Sequence, residues 1–206
     1  MLGFVPVTER ATVPMPATRQ RLLQLLIDTK SFQWSATPVF PLVSGAMSRF
    51  YVDCRTGLSY PETRQVVGDL MLDLVQAPVD AVGGLLVGAF PIAIALSDAA
   101  YRRGSPTIRV FVVRKEPKAH GLKKLLEGDV RKGDRVVIVD DVITSGTSTI
   151  EAIEKSRDAG LIVNQAIAIL DRQEQDGKAR IEAQGVRCDA LCTMKELQDR
   201  AGGAGA

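Results

Sequence analysis

Hydrophobic and polar positions divide the chain into two regimes. Up to about residue 60 the apolar positions are scattered. Pro6 and Pro14, with Pro16 just beyond, predict an irregular arm over the first fifteen residues or so. Leu22, Leu23, Leu25, Leu26 and Ile27 then share one side of a helix predicted from about Ala17 to Asp28. Two short β-rich pieces, around Val39–Val43 and Arg49–Cys54, are joined by SGAMS with its Gly45 and predict a hairpin-like unit. From Pro61 helical and strand-like segments alternate. Pro61 and Glu62 open a helix in the favoured way, and Val66, Val67, Leu70, Met71, Leu74 and Val75 recur at helical spacing. A strand VDAVGGL follows, then a helix FPIAIALSDAAYRRG closed by Arg102, Arg103 and Gly104. TIRVFVV and RVVIV are strands, STIEAIEKSRDAG a helix ended by Gly160, LIVNQAIAIL and VRCDALCT strands, and MKELQDR a closing helix. Continuous apolar strands separated by helices predict an α/β fold, an open parallel sheet flanked by helices on both faces. The expected division is an N-terminal arm, helix and small lobe over residues 1–60, the α/β core over 61–200, and a disordered tail AGGAGA over 201–206.

Composition narrows the function classes. With 206 residues, 46% hydrophobic and 24% charged, the chain is an ordinary globular domain with room for one substantial core. A formal net charge of +2 disfavours nucleic-acid binding driven by bulk charge. The three cysteines, Cys54, Cys188 and Cys192, are odd in number, which argues against a disulfide framework and for a reducing compartment. Cys188 and Cys192 lack companion ligands for zinc, and His120 is the only histidine, so the cysteines read as buried apolar side chains. The N-terminus lacks a basic start followed by an apolar run, so no signal peptide is read. No window approaches the roughly eighteen apolar residues of a membrane span, so the expectation is a cytoplasmic protein without a membrane partner.

The most informative stretch is VVIVDDVITSGTST, Val136 to Thr149. Ligands of open parallel sheets sit beyond the carboxyl ends of the strands, and Asp140 and Asp141 fall at such an end. The TSGTST run then enters a helix near Thr147, whose first N–H groups and positive dipole end attract anions. Gly146 allows close backbone approach, and Thr144, Ser145, Thr147 and Ser148 add hydroxyl donors. This is not a Walker loop, since no lysine follows the glycine before the helix, and no G-x-G-x-x-G is present. Two carboxylates beside an anion cradle suit a sugar phosphate, with hydroxyls facing the acids and phosphate facing the helix. The residues alone leave a second reading equally open: a solvated strand end and a helix merely capped by Thr and Ser.

VVRKEPKAHGLKKLLEG, Val112 to Gly128, places Arg114, Lys115, Lys118, His120, Lys123 and Lys124 close together, and Pro117 and Gly121 make it a poor helix interior. A cationic loop of this kind suits covering a diphosphate and excluding water, although such runs are also ordinary solvated surface.

VVIVDDVITSGTST closely resembles the phosphoribosyl-diphosphate signature of type I phosphoribosyltransferases, and RKEPKAHG resembles the catalytic loop of the orotate phosphoribosyltransferase family. LVSGAMSRFYVD is similar to that family's early segment along the orotate ring, and LDRQEQDG to its D-R-x-E stretch. The resemblance runs from about Pro41 to Thr193 and implies a type I phosphoribosyltransferase-like sheet with an N-terminal hood lobe. It implies that Asp140 and Asp141 hold the ribose hydroxyls and that Thr144 to Ser148 hold the 5-phosphate. It further implies that Lys118 and His120 act on the departing diphosphate, with Arg114 serving the partner subunit's site and Lys115 its own. Tyr51 and Val52 would flank the orotate ring, and Arg172 would meet the orotate carboxylate, a group its guanidinium fork fits in two parallel hydrogen bonds. The implied reaction is transfer of the 5-phosphoribosyl group from phosphoribosyl diphosphate to orotate, with Mg2+, in a homodimer with shared sites. Val43 and Val87 stand where some members carry lysines. Two rivals remain: the same chemistry on another base, and a nucleic-acid-binding regulator that keeps the pocket.

Overall fold

The computed structural model describes residues 17–41, 45, 47–76, 78–116 and 125–202. Helix α1 (Arg19–Asp28) starts where Thr18 accepts a hydrogen bond from the Arg21 N–H at 3.1 Å. Four short strands follow: β1 (Phe32–Trp34), β2 (Phe40–Pro41), β3 (Met47–Ser48) and β4 (Phe50–Val52). Antiparallel pairing joins β2 to β3 and β1 to β4. A hairpin is present around Gly45, but its second strand, Met47–Ser48, lies inside the predicted SGAMS connection; the predicted second strand pairs instead with FQW, which is too short to show alternation. The segment predicted as strand to Cys54 stops at Val52, because Asp53 caps a short helix α2 (Cys54–Leu58) instead.

Helix α3 (Pro61–Leu74) has its proline in the first turn. Then come β5 (Ala81–Leu85), α4 (Ala89–Arg102), β6 (Arg109–Val113), β7 (Leu126–Gly128), β8 (Arg135–Ile143), α5 (Thr147–Asp158), β9 (Ile162–Asp171), α6 (Gly177–Glu182), β10 (Arg187–Thr193) and α7 (Met194–Gly202). Among the described residues six strands form the main sheet in the order β10-β9-β8-β5-β6-β7, parallel except for β7. The predicted α/β class stands, with two elements after Pro61 that the pattern did not predict. The three residues of β7 are a strand only because they pair antiparallel with β6, and α6 is too short for apolar periodicity to show.

Alternate residues of β8 face opposite cores, as the two-residue strand period requires. Val137 and Val139 pack with Leu22, Leu26, Val67, Ile92 and Leu96 on the face covered by α1, α3, α4 and α7. Val136 and Ile138 pack with Phe111, Ala152, Ile153 and Ile181 on the face covered by α5 and α6. Helix α1 thus contributes directly to the core that the sheet builds. No helix among the described residues is long and apolar enough to cross a membrane.

Strand β5 lies in mid-sheet. The chain runs from it to β6 on one side, and later enters β8 on the other. Two connections leading opposite ways open a crevice at the carboxyl ends of β5 and β8, where open α/β sheets bind ligands.

Candidate active site

The two aspartates do not end their strand. Strand β8 continues to Ile143, with Asp140 opposite Ala168 and Val142 opposite Leu170 of β9. The predicted strand RVVIV therefore ends four residues early, at Val139, and the acids belong to a paired strand backbone. Asp140 is buried; its carboxylate accepts from the Thr149 hydroxyl at 2.7 Å and from the Asp141 N–H at 3.0 Å. Burial pushes this carboxyl well above its ordinary range; the Thr149 hydrogen bond opposes the shift and the Asp141 charge adds to it. Asp141 is half-buried and packs against the turn after β5: a Cβ on Gly88 would lie 2.9 Å from an Asp141 carboxylate oxygen. The turn after β5 thus lies directly against the Asp141 carboxylate, and a side chain at position 88 would have to displace it. Val87 stands 67% exposed on the same turn, next to a cis Leu86–Val87 peptide.

Beyond Ile143 the chain turns through Thr144 and Ser145 to Gly146, whose φ of 73° is left-handed. Gly146 is the N-cap of α5 and no side chain caps that helix. The first-turn N–H groups are therefore not satisfied by a Thr or Ser cap: Thr149 turns to Asp140, and Ser145 and Thr147 hydroxyls meet each other at 3.0 Å. Asp140, Val142 and the run Thr144 to Thr149 line a cavity of about 200 Å³. Uncapped amides, hydroxyls and a helix N-terminus beside a small polar cavity are the features that can hold an anion. Of the two readings the residues left open, the mere helix cap is not what is observed.

The loop is buttressed by α6, which the apolar pattern did not reveal. A Cβ on Gly146 would lie 2.7 Å from the Gly177 carbonyl, and one on Gly177 would lie 2.3 Å from the Thr144 carbonyl. Arg180 donates to the Ser145 carbonyl at 2.6 Å. A DG pair before a short polar helix was the only local signal.

Arg172 follows β9, its N–H tied to the Ile143 carbonyl at 2.9 Å. One guanidinium nitrogen meets Glu174 at 3.1 Å, while Nε is buried without a partner among the described residues. Tyr51 and Val52 lie on β4; the Tyr51 ring is exposed and stacks on Phe40 at 5.9 Å. The turn into α2 brings this lobe to the acids. Burial pushes the Cys54 thiol well up, with the Asp141 charge the next contributor, and Arg55, paired with Asp53 at 2.8 Å, also feels Asp141. Sequence reasoning passed over Arg55. Arg114 and Lys115 sit at the end of β6. Arg114 pairs with Glu127 of β7 at 3.0 Å, and the Lys115 side chain is exposed. Lys118, His120 and Val43 lie outside the described residues.

The sequence model of the phosphoribosyl transferase domain matches residues 59–195. The chain belongs to the phosphoribosyltransferase family. Among relatives, an orotate phosphoribosyltransferase of Aquifex aeolicus is 40% identical over 87% of this chain and 97% of its own. The structure of the Mycobacterium tuberculosis H37Rv orotate phosphoribosyltransferase in complex with 5-phospho-alpha-D-ribosyl 1-diphosphate superposes with TM-score 0.72 at 30% identity, covering 89% of this chain and 99% of that one. The Aeropyrum pernix orotate phosphoribosyltransferase gives TM-score 0.72 at 34% identity over 89% of this chain and 99% of its own. The α/β family fold expected from the motifs is thus the observed one.

Proposed function

We propose that the protein transfers the 5-phosphoribosyl group from phosphoribosyl diphosphate to orotate, giving orotidine 5-phosphate and diphosphate, a step of pyrimidine nucleotide synthesis. One observation carries the reading: the uncapped α5 N-terminus and its hydroxyl loop stand beside two strand-held acids at the switch point of the sheet. The cradle takes the 5-phosphate, and Asp140 and Asp141 take the ribose hydroxyls. Arg172, with its unpartnered Nε, takes the orotate carboxylate, and Tyr51 and Val52 flank the ring. The sugar becomes cationic as its bond to diphosphate lengthens, so catalysis is chiefly positional and electrostatic. The acids place negative charge near the developing cation. Arg114, Lys115, Lys118 and His120 meet the diphosphate, and Lys118 or His120 supplies the proton or charge that lets it depart. The orotate ring nitrogen attacks the sugar directly, with no covalent enzyme intermediate.

Mg2+ belongs to this reading. No three His, Cys, Asp or Glu side chains gather into a metal site among the described residues. A small hard cation here must draw its oxygens mainly from the donor and water, a mode suited to Mg2+ on phosphates. The half-buried Asp141 carboxylate fits as its protein-side neighbour. When bound, the ion neutralises charge on the leaving diphosphate. The working unit is read as a homodimer with shared sites, which the exposed apolar stripe of Phe90, Ile94 and Tyr101 on α4 supports. The three cysteines are buried free thiols, which agrees with a cytoplasmic enzyme.

The test is turnover with phosphoribosyl diphosphate and a panel of bases, on a species of twice the chain mass. Orotate is expected to be the base consumed, and Arg172→Ala to raise the orotate KM by roughly 30-fold or more, the worth of a charge-assisted pair. Turnover with a purine base alone, or an unchanged orotate KM in the variant, overturns the assignment.

A further inference from the structure

Lys155 lies on α5, eight residues beyond Thr147, and its side chain is only 18% exposed. Its ammonium donates to the backbone carbonyls of Arg114 at 3.0 Å and Lys115 at 2.6 Å, and to the Glu151 carboxylate one turn back. An ammonium has three protons to donate, and here each has an acceptor on its own chain. Lys155 is therefore not placed to contact substrate. The same junction is held from its other side. The Arg114 N–H donates to the Leu125 carbonyl at 2.8 Å, and its guanidinium meets Glu127 on β7. The end of β6 is thus clamped between β7 and α5.

We propose that Lys155 is a positioning residue that fixes where Arg114 and Lys115 leave the sheet relative to the phosphate cradle. The inference rests on the reading above, in which Lys115 holds the diphosphate of the donor whose 5-phosphate fills its own subunit's cradle, while Arg114 serves the partner subunit's donor. The donor carries an anion at each end of its ribose, so both anchors must stand at a set separation for one molecule to fill them. Helix α5 supplies that separation. Its first turn carries the cradle, and Lys155 lies about 12 Å further along the axis at 1.5 Å per residue. A lysine on the polar side of an amphipathic helix usually points to solvent; this one is withdrawn from it and spent on two carbonyls that nothing else in the helix reaches.

The experiment compares Lys155→Met and Lys155→Arg with the full-length wild type in steady-state kinetics. It adds calorimetry with inorganic phosphate as the probe of the cradle alone. Lys155→Met is expected to lower kcat/KM for phosphoribosyl diphosphate by roughly 10- to 100-fold, the order that misplaced binding groups cost. Phosphate affinity should stay within about twofold of wild type, the margin below which no interaction of even 1 kcal/mol is lost. Lys155→Arg, which still donates to both carbonyls, should recover most of the loss. Donor kinetics unchanged in Lys155→Met overturn the inference, even with a lowered Tm, since a packing role moves Tm alone. So does an equal loss of donor and phosphate binding, or a loss in Lys155→Arg as large as in Lys155→Met. If Lys155→Met does not fold, Lys155→Gln, with one amide donor, is read by the same comparison. Lys115→Ala separates the two levels. Normal donor kinetics there undo the reading of the segment, whereas a loss there beside normal Lys155→Met kinetics undoes only the positioning role.

Discussion

The two ends of the main sheet are built from the same strands and treat charge in opposite ways. At the amino ends every notable charge is answered. Asp80 accepts three hydrogen bonds from Arg135, at 2.8, 3.0 and 3.1 Å. Arg109 donates to Asp134 at 2.9 Å, and Arg187 forks onto Asp189 at 2.7 and 2.9 Å. Gln165, nearly buried, joins Asp189 to the Leu74 carbonyl at the end of α3. At the carboxyl ends satisfaction stops short. Asp140 is a buried acid held against its own desolvation, the Arg172 Nε has no partner among the described residues, and no side chain caps α5. Leaving a buried polar group unanswered costs about 1–3 kcal/mol, so a fold does not do so idly. The amino end holds the strands in register; the carboxyl end leaves hydrogen bonds unmade, which suits the ligand-binding role proposed for it.

The sharpest way to break that contrast is Asp140→Asn. Removing the charge proposed to face the ribose is expected to lower turnover by roughly 10²–10³-fold, the scale of a lost electrostatic contact in the transition state. Stability should move the other way. Burial raises the folded-state pKa of Asp140 above its ordinary 3.8, so the folded protein holds that proton more tightly than the unfolded chain. Wild type therefore loses stability as pH rises from the unfolded value through the raised folded one, and the amide does not titrate. The Thr149 hydroxyl can turn to accept from the new amide, so the local hydrogen bonds survive. The Tm of the variant minus that of wild type is expected to grow between about pH 4 and 8, by about 3 °C for each kcal/mol. A gap constant across pH would show that Asp140 carries no stored desolvation cost.

Legibility follows the same divide. The cradle was readable because its parts are contiguous: strand, acids, glycine and hydroxyls succeed one another within Val136–Thr149 and each has a local conformational reason. Arg172 was readable through a short motif. What supports the cradle was not. Arg180 meets Ser145 across 35 positions, and Gly177 shows its purpose only once a Cβ is placed against the Thr144 carbonyl. Lys155 reads as one more lysine on a polar helix face until its ammonium is found on the carbonyls of Arg114 and Lys115. The three residues of β7 become a strand through β6 alone. Long-range contacts between short elements leave no periodicity, so sequence reading nominates the groups proposed to meet a ligand and misses those that pack behind them.

Arg180→Ala probes that supporting layer. The hydrogen bond to the Ser145 carbonyl is charge-assisted but exposed, which puts its worth near the low end of such bonds, about 1.5 kcal/mol. If it holds the loop in its binding shape, the KM for phosphoribosyl diphosphate should rise about 10-fold while the orotate KM stays put. An equal rise in both would mean that α6 supports the whole carboxyl end rather than the cradle, and the distinction between ligand-facing groups and their local props would blur.

The smallest effect should come from the opposite end, and its sign in pH is reversed. Arg135 holds the Asp80 carboxyl down to about 2, first by its side-chain hydrogen bonds and then by its N–H. The folded state binds that proton more weakly than the unfolded chain, so the pair stabilises above pH 3.8 and the contribution is lost as pH falls toward 2. The pair is largely exposed, and such pairs contribute little. Asp80→Asn is therefore expected to lower Tm by roughly 1–3 °C near pH 7, with the deficit closing below pH 4, and to leave both substrate KM values alone. Wild type thus gains on Asp80→Asn as pH rises from about 2 to 3.8, and loses ground to Asp140→Asn as pH rises further, above 3.8. Two aspartates, one just ahead of β5 and the other on its neighbour β8, would then titrate against folding in opposite senses because one stands at the braced end of the sheet and the other at the working end. If Asp80→Asn changed donor KM as well, the amino end would not be a passive brace, and the division drawn between the two ends would fail.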